Sequence, residues 1–164
     1  MGGTVRRLVH ALKYDGWEAA AAPMAARMAT LAWPADVEAE ARVVVPVPTT
    51  AARIRQRGYN QAARLAGHLA ALTGRAFDPE ILVRTRAAAT QTALHPDERR
   101  ANVAGAFAVP SGCAARVRGA HVLLVDDVWT TGATARECAE TLVEAGARVA
   151  SVATFARVFP ELDR

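Results

Sequence analysis

Two adjacent carboxylates, Asp126 and Asp127, follow four aliphatic residues in VLLVDDVWTTGATARECAETL, which runs from Val122 to Leu142. Like charges repel, so such a pair is favourable only with compensation from hydroxyl donors, cations or water. Two vicinal sugar hydroxyls match adjacent acceptors well. Just beyond, Gly132 lets the backbone approach an anion closely, and Thr130, Thr131 and Thr134 supply hydroxyl donors. Successive backbone N–H groups at the start of the helix that follows make a phosphate cradle. A hydroxyl-binding end beside a phosphate-binding end describes a ribose 5-phosphate. Other readings stay open. A buried strand followed by an aspartate-rich turn and a threonine N-cap gives a similar string. Phosphatase-type sites place their aspartates one residue apart, and a P-loop needs a lysine after glycine, which GATAR lacks.

A second polar cluster is RIRQRGYNQ, with Arg53, Arg55 and Arg57 ahead of a helix. Planar guanidinium groups bind phosphate oxygens in pairs, and Gly58 beside Arg57 leaves room for close approach. A solvated basic turn capped by Asn60 is the other reading. Trp129 could stack on a base or cover a ribose, or pack against the adjoining helix. His10, His68, His95 and His121 are scattered without metal-ligand spacing, and Cys113 and Cys138 form no CxxC pair. Neither a zinc ribbon nor a disulfide framework is supported, and both cysteines read as small, partly buried thiols.

These groups need a frame. Val5 to Tyr14 and Trp17 to Ala32 have the spacing of helices, separated by Asp15-Gly16, with Pro23 able to kink the second. RVVVPV, Arg42 to Val47, is a β-branched run suited to a buried parallel strand. Asn60 to Leu72 predicts a helix stopped by Gly74, and Ile81 to Thr85 a short strand. Arg86 to Asn102 lacks a clean period and reads as a long loop. Gly105 to Val109 and Ala120 to Val125 read as strands, with Gly112 to Gly119 a connection. Thr134 to Ala145 is a helix, and Ala147 to Phe155 a strand. The closing strand–helix–strand unit predicts an α/β fold with a mostly parallel sheet.

The chain has 164 residues, 52% of them apolar, which suits one domain with a substantial core. No apolar run approaches the roughly 20 residues of a membrane helix, and MGGTVRRLVHALKYDG is too broken by charge for a secretory signal. The expectation is a cytoplasmic protein without membrane insertion. The net charge is +4, and Lys13 is the only lysine among twenty basic residues. Arginine suits phosphate recognition, but a compositional bias toward Arg and Ala explains the excess equally well.

VLLVDDVWTTGAT resembles the PRPP-binding motif of the type I phosphoribosyltransferases: hydrophobic residues, an acidic pair, then a TTGAT-type loop. Further segments resemble the ComF family of that superfamily: LVHALKYDG, PVPTTAARIRQRGYNQAARLA from Pro46, TRAAATQTALHPDERRANVAGAF from Thr85, and VATFAR from Val152. The resemblance implies a single phosphoribosyltransferase-like domain, with a helical hood over residues 1–34 and a core over 42–157. It implies ribose hydroxyls on Asp126 and Asp127, and the 5-phosphate on Thr130, Thr131, Gly132, Ala133 and Thr134. Pyrophosphate would lie at Pro48, Thr49 and Arg57. Arg99, Arg100 and Asn102 would belong to a flexible loop that closes over PRPP. Magnesium would arrive with PRPP, held mainly by diphosphate and ribose oxygens.

Under this resemblance the reaction displaces pyrophosphate from C1 of the sugar, with the protein supplying position and charge stabilisation. Some purine-using relatives have an acidic base where Thr130 stands here. The acceptor pocket would fall on the N-terminal helices, where His10, Tyr14 and Trp17 give no base-recognition code. Many ComF relatives carry an N-terminal four-cysteine zinc ribbon, so a ribbonless form, or a chain that begins after the ribbon, is implied. Two functions remain open. One is a transferase acting on PRPP. The other is a non-catalytic accessory of natural competence and DNA uptake, using the fold to bind nucleotides, single-stranded DNA or DNA-uptake proteins.

Overall fold

The computed structural model describes Arg7, residues 18–85 and residues 105–158. Except for Arg7, the expected helix Val5 to Tyr14 lies outside the described residues, as do Trp17, the loop Arg86 to Asn102 and the closing residues.

The second expected helix begins as a 3-10 turn, Glu18–Ala20, and continues as α1, Ala21–Ala29. Pro23 falls in its first turn, where no intrahelical N–H is required, so it is accommodated rather than splitting the helix. Ala21, Met24, Ala25 and Met28 make one buried face. A helix that the periodicity did not indicate follows: α2, Ala35–Glu40, with Pro34 at its N-cap and Asp36 and Glu38 in its first turn. Acidic residues there complement the helix dipole.

The chain then enters β1, Ala41–Pro46. The basic stretch, for which a solvated turn was one of two readings, is a short helix, α3, Ala51–Arg57. Thr50 caps it by accepting from the Arg53 N–H at 3.2 Å, and Gly58 ends it in the left-handed region. The helix α4, Gln61–Thr73, is capped by Asn60 and stopped by Gly74. The strands β2, Ala76–Phe77, β3, Val83–Arg84, and β4, Phe107–Ala108, are two residues each. The expected connection after them contains a helical turn, α5, Ala114–Val117. The closing unit is β5, His121–Trp129, then α6, Ala133–Glu144, then β6, Val149–Arg157.

Four strands form one sheet in the order β2-β1-β5-β6, and every neighbouring pair is parallel. The strands β3 and β4 form a separate antiparallel ribbon, with Val83 opposite Ala108 and Arg84 opposite Phe107. Both faces of the sheet are covered, which is why β1 and the start of β5 are continuously apolar. On one face Val44, Leu123 and Val125 pack with α1 and with Leu65 and Leu69 of α4. On the other, Val45, Val122 and Leu124 pack with Cys138 and Leu142 of α6, with Leu82 just before β3 and with Phe107 of β4. Each fully buried leucine in these layers contributes about 2 kcal/mol. The described part of the N-terminal segment, α1, packs on α4 and β6. No helix among the described residues is long and apolar enough to cross a membrane.

Candidate functional site

The connection from β1 runs outward to β2, whereas that from β5 runs outward to β6. The two strands are neighbours, so the chain reverses direction between them and leaves a crevice beyond their carboxyl ends. Open α/β sheets bind ligands at such switch points. The Val47 N–H donates to the Val125 carbonyl at 2.8 Å, so β1 and β5 remain joined up to the crevice.

Asn60 closes one side of it. Its Nδ2 donates to the Val47 carbonyl at 3.1 Å, while its Oδ1 accepts from the Ala62 N–H at 3.1 Å. One side chain therefore caps α4 and ties it to the exit of β1. Between those points lie Pro48, Thr49 and Thr50, all half-buried, and α3, none of whose residues is buried. Gln61 is buried, and with its amide oxygen turned toward Arg57 it accepts from Nη1 at 2.6 Å and Nε at 3.2 Å. Arg57 is thus oriented by the first residue of α4. All described peptide bonds are trans.

On the other side, Asp126 and Asp127 lie within β5 and not beyond it. The expected end of the strand at Val125 is too early, because β6 runs alongside as far as Arg157 opposite Trp129. Successive strand residues point to opposite faces. Val122 and Leu124 belong to the α6 face, so alternation carries Asp126 there. Leu123 and Val125 belong to the α4 face, and so does Val128, so strict alternation ends between Val125 and Val128. The two aspartates differ in burial: Asp127 is 6% exposed, whereas Asp126 is half-buried and its Oδ1 accepts from the Asp127 N–H at 2.8 Å.

The loop after β5 is only Thr130 to Gly132, and α6 begins at Ala133, one residue earlier than expected. Thr130 and Thr131 are exposed, Gly132 is buried, and Ala133 and Thr134 are half-buried. The Ala133 N–H donates to Thr131 Oγ1 at 3.4 Å. Gly132 is the N-cap at φ 77°, a left-handed conformation that favours glycine. The indole of Trp129 lies against it: a Cβ at this position would meet the ring at 2.3 Å. The aromatic packs on the glycine that caps α6, which resolves the choice between stacking and packing for this residue.

Arg99, Arg100 and Asn102 lie outside the described residues. The flanks of their segment are anchored, since the Thr85 N–H donates to the Ala106 carbonyl at 2.9 Å and the Gly105 N–H to Glu137 Oε1 at 2.5 Å. One residue that periodicity and motif both missed is Arg84. It is half-buried on β3, its guanidinium carbon 5.0 Å from the centroid of the Phe107 ring. Burial pushes its pKa down, and the positive charge of Arg53 adds to the effect. A charged residue inside LVRT was the only signal available. Cys138 is fully buried; burial raises its thiol pKa, and the carboxylate of Asp126 raises it further, so it is neutral and unreactive at pH 7.

No family model matches the chain. It is 38% identical over 109 residues to the DNA utilization protein YhgH of Salmonella typhi, and to its counterpart in Escherichia coli (strain K12), a match covering 66% of this chain. The match covers 46% of each relative, so the chain spans less than half the length of the curated relatives it matches. Among solved structures, the glutamine phosphoribosylpyrophosphate (PRPP) amidotransferase from B. subtilis, complexed with ADP and GMP, is similar with a TM-score of 0.57. That likeness covers 84% of this chain and 26% of that chain at 22% identity, so it concerns the fold. The chain has the type I phosphoribosyltransferase-like fold, a central parallel sheet flanked by helices.

Proposed function

We propose that the chain is a ComF-type protein that binds PRPP in the crevice between β1 and β5 and transfers its phosphoribosyl group. The observation that carries this reading is the placement of the Asp126–Asp127 pair and the Gly132-capped threonine loop together at the switch point. The 5-phosphate is held by the hydroxyls of Thr130, Thr131 and Thr134 and by the N–H groups that open α6, with Gly132 and Ala133 shaping the loop. Asp126 and Asp127 accept from the ribose hydroxyls. Pro48 and Thr49, at the exit of β1, border the diphosphate, with Arg57 oriented nearby by Gln61.

The acceptor attacks C1 of the ribose, the C1–O bond to the diphosphate breaks, and its electron pair leaves with the pyrophosphate. The protein holds the sugar by both ends and supplies fixed dipoles where charge develops. Magnesium arriving on the ligand would be held chiefly by diphosphate and ribose oxygens and would supply positive charge to offset that on the departing diphosphate. Arg99, Arg100 and Asn102, on the segment that leaves β3, are proposed to cover the ligand.

The likeness to proteins named for DNA utilization favours a second reading, in which the fold is a non-catalytic module of DNA uptake with nucleotide, single-stranded DNA or protein partners. One experiment separates the two. Pyrophosphate release from PRPP and magnesium is measured across nucleobases and small amines, alongside single-stranded DNA binding at rising salt. Acceptor-dependent release supports the transferase. Absence of release with every acceptor, joined to DNA binding that weakens steeply with salt, supports the module.

A further inference from the structure

Resting on that reading, we propose that Asn60 and Gln61 are positioning residues for the diphosphate of the ligand. Between them they hold both ends of the segment that carries Pro48, Thr49 and Arg57. That segment leaves the sheet after Val47, whose N–H still bonds to β5, and rejoins the core at α4. In between, α3 has no buried residue. A helix of seven residues is marginal in water by itself. Its caps at Thr50 and Gly58 define its length but not its place on the fold. Its place is set where the two ends of the segment meet the rest of the chain.

Both ends meet consecutive residues at the start of α4. At the first, Asn60 Nδ2 donates to the Val47 carbonyl at 3.1 Å, which restrains the backbone leading into Pro48 and Thr49. At the second, the Gln61 amide oxygen accepts from Arg57 Nη1 at 2.6 Å and Nε at 3.2 Å. Gln61 is only 4% exposed, and an amide buried that deeply costs stability unless its polar atoms are bonded. Capping α4 does not require it, because Asn60 Oδ1 already accepts from the Ala62 N–H. An apolar side chain would pack at position 61 equally well; what the amide adds is a fixed plane for Arg57. A guanidinium recognises phosphate oxygens by direction as well as by charge. Restraining it before the ligand arrives lowers the ordering cost of binding.

The test compares binding of PRPP, pyrophosphate and ribose 5-phosphate, each with magnesium, to the wild type, Asn60→Ser, Gln61→Met, Arg57→Gln and Gln61→Met/Arg57→Gln. Serine keeps a neutral N-cap for α4 but is too short to reach the Val47 carbonyl. Methionine keeps the length of the side chain at position 61 and removes the amide acceptor. Gln61→Met is expected to weaken PRPP and pyrophosphate by about tenfold, and Asn60→Ser by about threefold or more. Ribose 5-phosphate, which has no diphosphate, should change little, a selectivity that a general loosening of α4 would not produce. With Arg57→Gln already present, Gln61→Met should have no further effect, because it acts through Arg57. Asn60→Ser carries the test alone if Gln61→Met does not fold. Unchanged PRPP and pyrophosphate affinity in the folded variants, or equal losses for all three ligands, would overturn the assignment while leaving PRPP binding intact. So would a Gln61→Met loss that persists undiminished beside Arg57→Gln. A wild type that binds none of the three ligands overturns the functional reading and this inference with it.

Discussion

Replacing Asp126 and Asp127 together by asparagine should lower PRPP affinity about 100-fold or more, read by calorimetric titration with magnesium present. A hydrogen bond to a charged group contributes about 1.5–3 kcal/mol, so losing the charge at both positions removes about 3 kcal/mol or more. Each 1.4 kcal/mol is about tenfold in affinity. The amide is nearly isosteric and still accepts from the Asp127 position's N–H, so the strand should persist and thermal unfolding should move little. The single variants should differ, because Asp127 is nearly fully buried whereas Asp126 is half-buried. Equal affinities of wild type and double variant would remove the ribose assignment.

Gly132→Ala should be the most damaging single change near the loop. The left-handed backbone costs an alanine about 1–2 kcal/mol. The added methyl would also lie 2.3 Å from the Trp129 ring, a distance no Cβ tolerates, so the indole or the loop must move. The combined loss should be about 2–3 kcal/mol, and for a domain of this size each kcal/mol lowers Tm by about 2–4 °C. Trp129→Ala removes the obstacle but not the backbone strain. The double variant Trp129→Ala/Gly132→Ala should therefore be less destabilised than the sum of the singles. Thermal unfolding of the four proteins checks this, and strictly additive effects would show that the indole does not constrain the glycine.

Much of this frame was legible because local chemistry and tertiary structure agree. Asn60 and Gly74 bound α4 where a cap and a left-handed stop were expected, and Val122 to Val125 is buried strand. The misses share a cause: each depends on a neighbour distant in sequence. The strand β5 continues through both aspartates to Trp129 only because β6 pairs with it that far. The polarity of DDVW gives no hint of this. The helix α3 has no buried residue, so no apolar period marks it, and its caps at Thr50 and Gly58 are what define it. Of the site, the residue types at the crevice were readable, including the unusual glycine among threonines. The unequal burial of the two aspartates was not, since it follows from the continuation of β5 past Val125. Arg84 was invisible for the same reason, since the ring it packs on, Phe107, comes from a distant part of the chain.

The central claim is that this crevice holds PRPP, and titration of the wild-type chain with PRPP in the presence of magnesium tests it most directly. The account predicts saturable one-to-one binding that ribose 5-phosphate competes away, since both ligands share the aspartate pair and the threonine loop. Absence of binding at PRPP concentrations up to about 1 mM, the weak end of specific recognition, would contradict it.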